Sequence, residues 1–240
     1  VVCVHHVIRD VVTGLSAGGA MASVMLATYP ELFAGGAILA GLPYRSATSA
    51  REAMSSMAEG PSRRASEWGD LVRTASTHAG PWPLVSVWHG DADTTVAPSN
   101  AEEVVKQWVD LHGLDPKPAA QEIIDGAIRR VWRDARGCDA VEIYRVPGLD
   151  HAVPIRAGDG QGRYGAAGPF MADIGISSTW HIARFWGLTK TRHRQPVIRP
   201  AVAARVAGIA AQIGGAVRGL GKRAGIGGAR GTRPPMPAAQ

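Results

Sequence analysis

The sequence predicts an α/β fold, a mostly parallel sheet with helices packed on it. Three observations predict it. Short apolar runs alternate with longer segments of helical spacing. The runs at Val7–Thr13, Gly36–Gly41, Leu84–Trp88 and Val141–Val146 each end at a glycine or a turn. The polar residues with the strongest chemical character, Ser16, Asp93 and His151, each fall just after one of these runs. In parallel sheets the carboxyl ends of the strands form the crevice where ligands bind.

The first element fixes the rest. Val7–Thr13 reads as a strand and runs into Gly14-Leu15-Ser16-Ala17-Gly18. Ala17 to Thr28 is rich in Ala, Met and Leu and stops at Tyr29-Pro30, so it reads as a helix. Strand, Gly-x-Ser-x-Gly and helix together form the nucleophile-elbow pattern of α/β-hydrolases. There the serine sits on a strained turn, and the next amide, that of Ala17, points at a developing oxyanion.

The later elements follow in order. Gly36–Gly41 gives a second strand. Thr48–Met57 and Ser66–Ser76 look helical on either side of Gly60-Pro61. Leu84–Trp88 gives a third strand, leading into His89-Gly90-Asp91-Ala92-Asp93. Ser99 or Asn100 can cap a helix whose apolar face holds Val104, Val105, Trp108 and Val109. Ala127–Arg133 and Val141–Val146 alternate across a polar turn and predict a hairpin. Ser177 or Ser178 caps a last helix through Trp186, closed by Gly187.

Composition narrows the class. The 240 residues suffice for one large core, and no run of about 18 apolar residues offers a membrane span. No signal-peptide pattern is visible at the start. The formal charge of +6 is uneven. From Lys190 onward there are ten Lys/Arg and no acids, so the preceding part carries 16 basic and 20 acidic residues, a net of −4. The basic balance thus belongs to residues 189–240 and does not argue for specific nucleic-acid binding by the catalytic part, residues 1–188. Val202, Val206, Ile209, Ile213, Val217 and Leu220 could line a basic amphipathic helix on an anionic membrane. Five glycines between Gly208 and Gly221 favour disorder instead. Cys3 and Cys138 could pair, which spacing does not decide. No HExxH or CxxC occurs, so no metal or other cofactor is implied.

Ser16, Asp93 and His151 stand in the hydrolase order of nucleophile, acid and base. Ser16 would attack, His151 would act as base and then acid, and Asp93 would orient His151. Asp91 is the rival acid. His89 ends a strand and reads as a structural loop histidine. His5, His6, His78, His112, His181 and His193 have no supporting context. Tyr44 and Trp88 follow strands near the site and are candidates to touch substrate.

Four motifs carry a resemblance. Thr13–Met21, Ala37–Tyr44, Trp88–Val96, and Gly165–Met171 with Ile176–Gly187 resemble the polyhydroxybutyrate depolymerase family of esterases, which has feruloyl- and acetylxylan-esterase-like members. The resemblance runs from about Val7 to Leu188 and places the family carboxylate at Asp93. It implies a serine esterase acting on short hydroxyacid esters or poly(3-hydroxybutyrate)-like polyesters, with feruloyl or acetyl carbohydrate esters as the alternative, and an extracellular location.

Two departures stand out. The family carries strands and a His-Gly oxyanion loop before the elbow, whereas this sequence begins almost at the elbow. The expectation is therefore a partial α/β-hydrolase fold lacking its first strands, truncated at the N-terminus. Its edge strand would favour self-association. A catalytically dead fragment, or one that needs a complementing segment, is the competing expectation. The family histidine also follows Gly-x-Gly, whereas Asp150 precedes His151 here.

Overall fold

A computed structural model describes residues 10–190, all of which lie in the compact unit Val1–Arg194. Val7–Arg9, Cys3 and the basic tail beyond residue 190, with the expectations attached to them, lie outside the described residues.

Strand β1 (Asp10–Leu15) leads into helix α1 (Ala17–Thr28), which has the bounds its small-residue composition predicts. Then come β2 (Phe33–Leu39), α2 (Ala50–Glu59), α3 (Ala65–Arg73), β3 (Leu84–Gly90) and α4 (Ser99–Leu111). A hairpin β4 (Ala120–Ile124) and β5 (Ala127–Arg133) precedes β6 (Asp139–Val146). Two three-residue strands, β7 (Val153–Ile155) and β8 (Met171–Asp173), and helix α5 (Ser178–Phe185) close the unit.

The main sheet runs β1-β2-β3-β6-β5-β4. β1, β2, β3 and β6 are parallel, and β5 and β4 continue it antiparallel. The predicted hairpin is present as β5–β6, and β4 extends it. The sheet is mixed, mostly parallel across the part that carries the site.

Period-two alternation sorts the strand side chains onto two faces. Ile38, Val85, Val87, Val141 and Ile143 point one way and meet Leu26 of α1, Val72 of α3 and Val104 and Trp108 of α4. Their neighbours Ala37, Leu39, Trp88, Tyr144 and Val146 point the other way, against Ile176 and Ile182 of the α5 segment. On this second face Trp88 and Tyr144 are register partners, stacked 3.8 Å apart at 6°. The next pair on that face is polar. Ser86 donates to Glu142 at 2.7 Å, and Arg129 Nε reaches the other Glu142 oxygen at 2.7 Å. Glu142 is 1% exposed, and burial pushes its carboxyl up to about 7 against the opposing pull of Arg129 and Ser86.

One capping expectation needs correction. Ser99 already lies inside α4, whose N-cap is Pro98. Asn100 turns its amide outward from the helix start and donates to the carbonyls of Ser56 and Ala97. The donor demand of two carbonyls on the neighbouring segment outcompetes capping. Ser177, by contrast, caps α5 through the Trp180 amide.

Candidate active site

The elbow is built by close backbone contact. Ser16 adopts φ 59° and ψ −121°, a conformation that costs on the order of 1–3 kcal/mol for a residue with a Cβ. It is held there by its own amide donating to the Leu39 carbonyl at 2.9 Å and its carbonyl accepting from Ala20 at 2.9 Å. Gly14 is required because a Cβ there would overlap the carbonyl of Gly18. Ser16 is half-buried, and its hydroxyl makes no hydrogen bond among the described residues. Ala17 is the first residue of α1, where backbone amides have no helical partner and attract negative charge.

Asp93 and His151 come from separate loops at the same end of the sheet, after β3 and β6. These loops meet at Gly90, where any Cβ would overlap the Leu149 carbonyl, and that carbonyl accepts from the Ala92 amide at 3.2 Å. Asp93 Oδ2 lies 2.8 Å from His151 Nδ1. Its Oδ1 accepts from the Thr95 and Val96 amides at 2.9 and 2.8 Å. The Asp93 side chain is fully buried. Burial alone would raise its carboxyl, but the Val96 amide, the His151 ring and the Thr95 amide outweigh it and hold the group below the ordinary aspartate range. A carboxylate so bonded only accepts, so the contact places the His151 ring proton on Nδ1.

The rival acid is occupied elsewhere. Asp91 is exposed and accepts from the Gly148 amide at 2.7 Å, which fastens the two loops together. Asp150, the carboxylate beside the base, turns away from the ring and accepts from the Thr94 amide at 3.3 Å.

The aromatic candidates fare differently from expectation. Trp88 does not line the cleft: it is 1% exposed, stacked on Tyr144, and donates Nε1 to Ser86 at 2.9 Å. Its register against Tyr144 decides this, and sequence adjacency to the site does not reveal it. Tyr44 is half-buried against the main core, its backbone clasped by the Gln107 amide through bonds of 2.8 and 3.2 Å. The residue that does stand over His151 is Phe170, edge-on at 6.4 Å. Phe170 is 64% exposed and holds φ 59°. It lies in the Gly165–Met171 motif, which marked it without assigning it a role.

Residues 1–126 match the family described as Esterase PHB depolymerase. The chain belongs to this family. Poly(3-hydroxyalkanoate) depolymerase C of Paucimonas lemoignei is 41% identical over 181 residues, covering 75% of this chain and 44% of that protein. Acetylxylan esterase of Coprinopsis cinerea is 34% identical over 148 residues, covering 60% and 39%. The chain therefore spans less than half the length of either curated family relative. Among solved structures, the acetyl xylan esterase of Aspergillus awamori superposes with TM-score 0.59 at 24% identity, over 75% of this chain and 60% of that one. The PHB depolymerase of Penicillium funiculosum superposes with TM-score 0.51 at 20% identity, over 78% and 53%. Both likenesses concern the fold alone.

Proposed function

We propose that the protein is a serine esterase in which Ser16 is the nucleophile, His151 the general base and acid, and Asp93 the group that orients His151. The observation that carries this reading is the 2.8 Å contact from Asp93 Oδ2 to His151 Nδ1, made by a carboxylate buried and held ionised. In the reaction the Ser16 hydroxyl adds to the ester carbonyl while its proton passes to His151 Nε2. The oxyanion accepts the Ala17 amide. His151 then protonates the departing alkoxide, and the acyl group remains on Ser16. Water, deprotonated by His151, releases the acid and restores the hydroxyl.

The substrate class rests on the relatives. Their names favour hydroxyalkanoate polyesters and short hydroxyacid esters first, and acetyl or feruloyl carbohydrate esters second. An extracellular setting goes with this reading, as the family resemblance implies. We assign residues 1–188 to the catalytic domain and 189–240 to a basic tail that could touch an anionic membrane.

A second reading is a chain that turns over only with a complementing segment, or not at all. It is favoured by the Ser16 hydroxyl, which makes no hydrogen bond among the described residues.

Hydrolysis of p-nitrophenyl butyrate by the protein and by its Ser16→Ala variant tests the assignment. The expected result is turnover that vanishes with the hydroxyl. Equal rates for the two proteins would remove Ser16 from the chemistry.

A further inference from the structure

His89 approaches the same Asp93 oxygen as His151. It is the penultimate residue of β3 and 3% exposed. Its Nε2 donates to the Val96 carbonyl at 2.9 Å and lies 3.2 Å from Asp93 Oδ2, the oxygen that His151 Nδ1 reaches at 2.8 Å. Both neighbours of Nε2 are oxygens that accept, so Nε2 bears the proton. The other nitrogen, Nδ1, is buried with no hydrogen-bond partner among the described residues. Burial pushes the imidazole below its ordinary range, against the Val96 carbonyl and Asp93, so the ring stays neutral at neutral pH.

Val96 closes the arrangement. Its amide donates to Asp93 Oδ1 at 2.8 Å while its carbonyl accepts from His89. One imidazole thus fixes the far end of the Asp93 turn and holds an N–H beside the carboxylate oxygen used by the base. A buried bare nitrogen is costly for a residue that only packs. A leucine of similar bulk would avoid that cost, and only the Nε2–H explains the imidazole.

We propose that His89 is a positioning residue for the Asp93–His151 pair, acting as a neutral donor that orients the carboxylate and limits the negative charge it presents to His151. The inference rests on the triad reading above. The ionisable groups facing His89 are Asp93, on the loop after β3, and His151, on the loop after β6. Asp91 and Asp150 are turned to the amides of Gly148 and Thr94.

The test uses the full chain with three substitutions. Gln at position 89 reaches about as far as Nε2 and can restore the donor. Asn reaches only as far as Nδ1, and Leu supplies none. For His89→Leu and His89→Asn the expected result is a kcat for p-nitrophenyl butyrate down roughly tenfold or more with KM within about twofold. The acid limb of the rate profile moves to higher pH, because the carboxylate charge then falls on His151 alone. His89→Gln is expected to stay within about threefold of the parent with its acid limb unmoved. Should His89→Leu fail to fold, the Gln and Asn pair decides. Equal impairment by Gln and Asn would show that packing matters and the donor does not. Unchanged rates and profiles in all three would also overturn the proposal.

A readout independent of turnover separates this from failure of the triad. The proton between His151 Nδ1 and Asp93 should give a downfield NMR resonance that persists in Ser16→Ala and in His89→Gln and broadens or disappears in His89→Leu. If Ser16→Ala hydrolyses ester as well as the parent, the triad reading fails while this resonance still tests His89. A resonance identical in the parent and His89→Leu, or absent from the parent, contradicts the positioning role.

Discussion

Asp91 and Asp93 differ by two positions, and both carry a carboxylate onto the same loop. Their environments assign them opposite tasks. Asp93 is buried, fully bonded and aimed at His151, whereas Asp91 is exposed and pins the Gly148 amide. Asp93→Asn should therefore lower kcat by roughly 1,000- to 10,000-fold, as an amide favours the wrong imidazole tautomer. Asp91→Asn should stay within about threefold, since an amide oxygen still accepts from Gly148. Steady-state kinetics on one aryl ester checks both, and comparable losses would mean that the carboxylate roles are misassigned. The sequence carried this distinction only through the resemblance, because hydrogen-bond partners on a different loop leave no local mark. His89 and Trp88 show the same limit. Each lies in a legible strand, but the direction of Trp88 is set by Tyr144, more than fifty residues away, and that of His89 by the way the following turn brings back Asp93 and the Val96 carbonyl.

Elements were more legible than contacts where their signals are local. Small residues and a terminal Tyr-Pro define α1, and short apolar runs define β2, β3 and β6. β4 escaped because Ala120–Ile124 is short, polar and largely exposed, and it becomes a strand by pairing with β5. β7 and β8 hold three residues each and exist only as each other's partner. Two predictions belong here. Gly14→Ala drives a methyl into the Gly18 carbonyl, so the elbow must open. Soluble protein should be largely inactive, or the melting temperature should fall by several degrees, by calorimetry. The second concerns the β3–β6 pair. Glu142 is raised to about 7 in the folded state from an ordinary value of 4.5, so the folded protein holds a proton that the unfolded chain has released across that interval. Its contribution is full below about 4.5 and is lost as pH rises towards 7. Denaturant titrations should show the parent losing stability over that window relative to Glu142→Gln, and parallel curves would contradict the burial argument. Removing Arg129 instead strands a buried acid and should cost on the order of 3–5 kcal/mol.

For the whole molecule, four parallel strands set the catalytic candidates at one end of the sheet, and two cores on opposite faces hold those strands in register. That organisation was legible from alternating strands and helices, because burial on both faces imposes near-continuous apolar runs. Which ester enters the site is a property of the rim, where exposed Phe170 stands beside His151. Comparing 3-hydroxybutyrate oligomers with methyl ferulate and acetylated xylan should rank the oligomers first by kcat/KM, with Phe170→Ala raising KM several-fold and leaving kcat within about threefold. A preference for acetylated xylan would instead favour the carbohydrate-esterase reading.

In the proposed triad, one hydroxyl of this chain is made nucleophilic by one histidine and one buried carboxylate. Labelling with a fluorophosphonate and reading the intact mass and the modified peptide tests it directly. A single adduct on Ser16 is expected, absent from Ser16→Ala and formed at least about a hundredfold more slowly in His151→Ala. An adduct on another residue, or equal labelling of the parent and His151→Ala, would contradict the claim.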